Sequence, residues 1–266
     1  MKCDTAQLIF FSPTKTTMKI VDAIGEGMKL STPLSRIDLT FPLDTVPQGQ
    51  ASDVAVIGTP GYAGRVPALV VDRLRQNVQG KGRPAVLVVV YGNRAYEDAL
   101  LELRNVAEEL GFVPVGAAAF IGEHSFSTAE LPVAAGRPDA DDLKKARDFG
   151  SRIREKMQAC GALDQLPLLQ VPGNFPYRDG IQPSSISPDT NEALCTLCGE
   201  CARVCPTQVV RVTDLVHTDK SGCIRCSACI KACPTGARFW NVPKIHDTTV
   251  FLHTKHAAPK EPEMFL

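Results

Sequence analysis

The sequence predicts an α/β chain in two parts: a doubly wound, five-stranded parallel sheet over residues 1–160, and a small α+β domain over residues 188–240. Three observations predict it. Five apolar runs alternate with helical periods through the first part, residues 161–187 are rich in proline, and eight of the ten cysteines lie between 195 and 233. At 266 residues and 44% hydrophobic content, the chain can bury the core of one ordinary domain and that of a smaller one.

The predicted strands are QLIFF (7–11), SRIDL (35–39), DVAVIG (53–58), AVLVVVY (85–91) and VPVGAAAF (113–120). Several are almost wholly apolar, as strands covered on both faces must be. Between them, Val21, Ile24 and Met28 share one helical face, and Leu100, Leu103, Ala107 and Leu110 share another that Gly111 terminates. Leu143, Ala146, Phe149, Ile153 and Met157 mark a last helix. Such an alternation winds into an open parallel sheet with helices on both faces, whose ligands bind beyond the carboxyl ends of the strands.

Residues 161–187, with Pro188 just beyond, contain Pro167, Pro172, Pro176 and Pro183 and almost no periodicity, which predicts a stiff, extended linker. Within it, GNFPYRDG (173–180) carries two aromatics and an arginine and is expected to dock against the first domain. Residues 241–266 read as a polar tail tied down by Phe251 and the final EMFL. Its histidines are the ordinary equipment of such a tail rather than a metal site.

Lys+Arg and Asp+Glu both total 29, so no global field draws the chain to nucleic acid or an anionic membrane. No basic stripe or helix-turn-helix pattern is present. The apolar run near the N-terminus is shorter than a secretory signal requires, and no stretch is long enough to span a membrane, so a soluble cytoplasmic protein is expected.

The cysteines carry the most specific signal. CTLCGECARVCP (195–206) and CIRCSACIKACP (223–234) both read C-x2-C-x2-C-x3-C-P, at an offset of 28 residues. A disulfide framework suits small exported scaffolds. Zinc sites pair two separated C-x2-C elements, whereas this four-cysteine run is the one that binds iron-sulfur clusters in bacteria. Between the runs, VVRVTDLVHTD reads as two short strands around a Thr-Asp turn. The segment resembles the double-cluster bacterial ferredoxins, in which the fourth cysteine of each run serves the other cluster. The resemblance implies one 4Fe-4S cluster on Cys195, Cys198, Cys201 and Cys233, and another on Cys223, Cys226, Cys229 and Cys205.

After the first predicted strand comes SPTKTT (12–17), opening directly into a helix. Ser12, Thr14, Thr16 and Thr17 surround a helix N-terminus with hydroxyls, as a phosphate cradle would, although one of them suffices for an ordinary cap. Neither a P-loop nor a dinucleotide fingerprint is present. This region resembles flavodoxin, and the resemblance implies FMN, with Ser12, Thr14, Lys15, Thr16 and Thr17 about its phosphate. The ring would lie between TPGYAGRVP (59–67) and YGNRAYED (91–98), contacted by Tyr62 and Tyr96, with Pro60, Gly61, Gly92 and Asn93 at its polar edge. Lys15 stands where flavodoxins commonly have glycine, so either the loop path differs or Lys15 adds a countercharge. Glu123 and His124, in the loop after the last strand, are candidates to exchange protons, and Arg65 and Arg94 to hold an anion; solvated or packed loop residues are the ordinary reading of all four. No catalytic residue is assigned. Cys3 reads as an apolar filler, and Cys160 ends a helix.

The whole is similar to the bacterial flavodoxin-ferredoxin fusion family. That resemblance implies an FMN and iron-sulfur oxidoreductase or electron-transfer protein, served by a redox partner protein or a small-molecule donor or acceptor. Two other classes stay open: a pure carrier without organic substrate, and a redox sensor. The balanced charge of residues 188–240, six Lys+Arg against five Asp+Glu, suits a domain held in place by its linker. It is expected to dock over a flavin rim, in its own chain or across a homodimer.

Overall fold

The computed structural model describes residues 3–43, 52–182 and 185–266; Pro183 of the linker lies outside the described residues. Five parallel strands, β1 (Ala6–Phe10), β2 (Ser35–Asp38), β3 (Val54–Pro60), β4 (Pro84–Tyr91) and β5 (Val113–Ile121), take the spatial order β2-β1-β3-β4-β5. This is a doubly wound sheet that reverses direction between β1 and β3. Helices α1 (Thr16–Gly27) and α4 (Ala140–Ala159) cover one face around Ile20, Ile24, Phe120, Phe149 and Ile153. The other face, built on Ile57, Leu87, Leu100 and Leu103, is covered by α2 (Ala68–Asn77) and α3 (Ala99–Glu109). Every residue of β1, β3 and β4 is buried, which is why their runs lack polar alternation.

Helices α1 and α4 approach closely enough to need glycine. A Cβ on Gly27 would lie 1.9 Å from the Arg147 carbonyl oxygen, and one on Gly150 would lie 2.1 Å from that of Ile24. Backbone, not a flexible side chain, fills both spaces.

The sheet departs from five parallel strands in one respect. Residues 241–266 form α7 (Pro243–Lys255) and then β10 (Glu263–Phe265), which pairs antiparallel with β5 and makes a sixth strand. The final EMFL thus ties the tail down as expected, whereas Phe251 is 49% exposed and anchors nothing in the core.

The cysteine-rich part is a structural repeat. Leu197, Gly199 and Gln208 have positive φ, and so do Arg225, Ser227 and Gly236, each 28 residues on. Short helices follow at equivalent places, α5 (Glu200–Arg203) and α6 (Ala228–Lys231). The predicted pair of strands is present as β7 (Val210–Val212) and β8 (Val216–Thr218), and β6 (Asp189–Thr190) pairs with β9 (Arg238–Phe239) to close the ends.

The linker packs on the first domain through its aromatic stretch. The Asp98 carboxylate accepts from the Asn174 and Arg178 amides at 2.8 and 2.7 Å, Asn105 donates to the Tyr177 hydroxyl, and Arg65 stacks on the Tyr177 ring at 4.7 Å. The cysteine-rich unit sits on the carboxyl-end rim of the sheet. Buried Arg73 bonds the carbonyl oxygens of Leu39, Thr40 and Pro206; Lys231 pairs with Glu123, and Phe126 meets Trp240 edge to face at 5.6 Å.

Candidate functional site: a rim cavity and two cysteine cavities

At the carboxyl ends of β1, β3, β4 and β5 lies a cavity of about 470 Å3, within the size range of cofactor sites. Of the residues proposed from sequence, Ser12, Thr14, Thr16, Thr17, Pro60, Gly61, Tyr62 and Gly92 line it; Lys15, Asn93 and Tyr96 do not. Ser12 spends its hydroxyl on the first turn of α1, accepting from the Met18 amide at 3.0 Å. No side chain caps that helix from its N-cap residue, Lys15. Lys15 takes φ 65°, the left-handed conformation for which glycine is the unstrained choice, and its side chain is exposed. The loop therefore keeps a glycine-type backbone while carrying lysine. Thr17 is buried, and its Oγ1 has no partner. A buried orphan hydroxyl beside uncapped amides fits a phosphate.

Asn93 and Tyr96 hold the tail instead. The Asn93 amide donates to the carbonyls of His256 and Ala258, and the Tyr96 hydroxyl donates to Glu263 at 2.9 Å. Tyr91, edge to face with Tyr96, takes the place in the cavity. Burial, with the nearby Glu263 carboxylate, pushes its phenol up to about 12. Gly92 is required by a side chain: a Cβ there would lie 2.2 Å from His124 Cδ2.

His124 lines the cavity as a neutral imidazole. Burial, with Lys231 and Arg94 nearby, lowers its pKa to about 4, and its Nδ1 accepts from the Phe126 amide at 3.1 Å. The proton is thereby assigned to Nε2, so at neutral pH the ring carries a hydrogen-bond donor there. Its neighbour Glu123 is paired with Lys231. Arg65 is held by both Glu102 oxygens, and Arg94, which lines the cavity, by both of Glu97.

Several wall residues lie outside the loops expected to hold a flavin. Ile181 and Ile186 come from the linker, Arg225 from the second cysteine run, and Lys244, Ile245, Thr248, Phe251 and Leu252 from α7. Pro243 at the first helical position, with Ile245, Thr249 and Leu252 buried at helical spacing, was the legible trace of α7.

Two small cavities lie in the cysteine-rich part. One is lined by Cys195, Cys198, Cys201 and Cys233, the other by Cys205, Cys223, Cys226 and Cys229. Each takes three cysteines from one run and the fourth from the other. Among the described residues no three His, Cys, Asp or Glu side chains converge on one ion position. An iron-sulfur cube takes one thiolate per corner, so its ligands stand apart around a cage. Burial pushes up the thiols of Cys226, Cys229, Cys223 and Cys201, which would disfavour bare thiolates without a cation to hold them.

Tyr62 joins the two kinds of site. It lines the rim cavity, and its phenol is raised by burial and by the adjacent Cys226, opposed by a hydrogen bond with Ser125. Arg225 of the second cysteine run also lines the rim cavity, and no residue of the first run does, so the second cysteine cavity is the inner one.

Residues 194–237 match the family model described as a 4Fe-4S dicluster domain, and residues 44–126 match that of NADPH-dependent FMN reductase. A flavodoxin from the domain Archaea is 15% identical over 58% of this chain and 99% of its own, with TM-score 0.43. Oxidised flavodoxin 2 from Bacillus cereus is 16% identical over 57% and 99%, with TM-score 0.43. The rubredoxin oxygen:oxidoreductase of Desulfovibrio gigas is 11% identical over 59% of this chain and 36% of its own, with TM-score 0.39. No curated protein matches. By sheet order and family matches the chain joins a flavodoxin-like α/β domain to a domain of the 4Fe-4S dicluster type, a pairing that supports FMN and iron-sulfur electron transfer. Among the described residues no helix is long and apolar enough to cross a membrane.

Proposed function

We propose that the chain holds one FMN in the rim cavity and two 4Fe-4S clusters in the cysteine cavities, and passes electrons between them as an oxidoreductase. The domains are taken as residues 1–160 for flavin, 161–187 as linker, 188–240 for the clusters and 241–266 as tail. The observation that carries this reading is the division of eight cysteines into two mixed sets of four, one beside Tyr62 at the rim cavity. FMN supplies the exchange between paired and single electrons, which iron-sulfur clusters alone lack.

The chain's own residues then have distinct tasks. The α1 amides and the Thr17 hydroxyl receive the phosphate; Tyr62 and Tyr91 wall the ring's region, and His124 offers a hydrogen bond from Nε2. Residues of α7, with Ile181 and Ile186, cover the cavity and keep water from it. Because the ferredoxin unit is bonded to the rim of its own chain, encounter with the flavin domain needs no diffusion.

Anaerobically prepared protein should contain FMN with about eight iron and eight sulfide, as two four-iron clusters require. Zinc in place of iron, without visible charge-transfer absorption, would overturn the reading. The terminal donor or acceptor, protein or small molecule, follows from screening reductants against that preparation.

A further inference from the structure

Arg238 is common to the walls of both cysteine cavities. It is 3% exposed. Its Nη2 reaches Cys229 Sγ at 3.7 Å and Thr218 Oγ1 at 3.1 Å, and its Nη1 donates to Thr190 Oγ1 at 2.8 Å. Its backbone amide supports the Cys233 sulfur, and its charge bears on Cys201, Cys223 and Cys229. Its Nε is buried without a partner, and among the described residues no carboxylate pairs with it.

A buried, unpaired guanidinium is expensive, because desolvation is uncompensated. The repeat shows the cheaper alternative. Twenty-eight residues earlier, the equivalent position is Val210, an apolar residue that is 6% exposed. An arginine here needs negative charge that the protein's side chains do not provide. A four-iron cluster with four thiolate ligands is an anion, and each electron it takes adds one more negative charge.

We propose that Arg238 is a fixed cation shared by the two clusters, raising the reduction potential of both. It is a positioning and tuning residue, and the proposal rests on the cluster assignment above. Reduction here is a one-electron step: each cluster gains one electron from the reductant, and no bond is made or broken. A cation that lines both cages, in contact with Cys229 of one and with its charge felt at Cys201 of the other, favours the reduced state of each and eases the electron repulsion between them.

The test is a dithionite titration of the purified holoprotein, followed by electron paramagnetic resonance, with iron and sulfide measured on every sample. Wild type, Arg238→Met, Arg238→Lys and Thr190→Asp are compared; the last places a carboxylate against the guanidinium and neutralises it in place. Arg238→Met and Thr190→Asp should each lower both midpoint potentials by about 59 mV or more, a tenfold change in the reduction equilibrium. Arg238→Lys should keep most of the wild-type value. If the two neutralised proteins lose iron while Arg238→Lys retains it, the same charge requirement is supported. Full iron content with less than a twofold change in equilibrium for Arg238→Met or Thr190→Asp overturns the proposal, as does loss of iron in all three variants. Wild type without iron would instead defeat the cluster assignment itself.

Discussion

The two cysteine cavities are built from the same motif and differ in what surrounds it. In the inner one Cys205, Cys226 and Cys229 are buried, while in the outer one Cys198 is exposed. Leu194, Leu197, Leu215 and Phe239 are exposed in the surrounding segments. The contrast is clearest at equivalent backbone positions. Leu197 and Arg225 share the left-handed conformation, yet Leu197 is exposed to solvent and Arg225 lines the rim cavity. At the next such pair Gly199 is unstrained, whereas Ser227 is held by the Trp240 indole, which donates to its hydroxyl at 2.9 Å. The repeated cysteines build the cages, and the residues between them assign one cage to the flavin side and the other to the surface.

That asymmetry can be broken one cage at a time. Cys226→Ala should remove the inner cluster and abolish rapid electron transfer from reduced FMN to the outer one. Cys198→Ala should leave flavin-to-inner transfer intact and abolish delivery to an external acceptor. Rapid mixing with spectroscopic detection separates the two. Equal effects of both substitutions on the first step would mean that the cages are not in series.

The flavin side should also respond to acid through His124. His124 has its pKa lowered from 6.5 to about 4, by burial and then by Lys231 and Arg94. Between those values the unfolded chain binds the proton that the folded one refuses. Its contribution is therefore intact above pH 6.5 and is lost as pH falls toward 4, by about 3 kcal/mol in all. His124→Gln should flatten this part of the stability-pH curve. Identical slopes in variant and wild type would remove His124 as the cause.

At the phosphate end, Thr17→Val deletes the buried orphan hydroxyl at nearly constant volume. FMN affinity should fall about tenfold, one charge-assisted hydrogen bond, while riboflavin affinity stays unchanged. Equal losses for both ligands would place Thr17 away from phosphate.

How much of this was legible followed the range of the interactions involved. The five parallel strands were readable because burial on both faces forces continuous apolar runs. The cysteine sets were readable because one short motif occurs twice. The rim is legible only in its loops: Tyr62 lines the cavity, whereas Tyr96 and Asn93 hold residues about 165 positions away. No local pattern announces a contact of that separation. Helix α7 was missed because much of its surface is polar and only Ile245, Thr249 and Leu252 are buried. Arg238 was missed because one arginine after a cysteine motif looks like a surface charge until both cavities close around it.

The smallest expected effect concerns the tail, which pairs with β5 and walls the rim cavity. Tyr96 is buried and donates to Glu263, an exposed carboxylate at the start of β10. Burial, and then that carboxylate, pushes the Tyr96 phenol up, so it remains a donor throughout the working pH range. Because one partner keeps access to water, Tyr96→Phe should cost only about 1 kcal/mol. In a chain of this size that corresponds to a fall in Tm of about 2–4 °C. Strand β10 would still be paired to β5 at three positions, and Asn93 would still hold His256 and Ala258. The tail should therefore stay in place, with FMN dissociating slightly faster and the iron content unchanged. A large loss of iron in Tyr96→Phe would show that the tail governs the cysteine cages as well as the flavin cavity, and the division into a flavin side and a surface side would have to be redrawn.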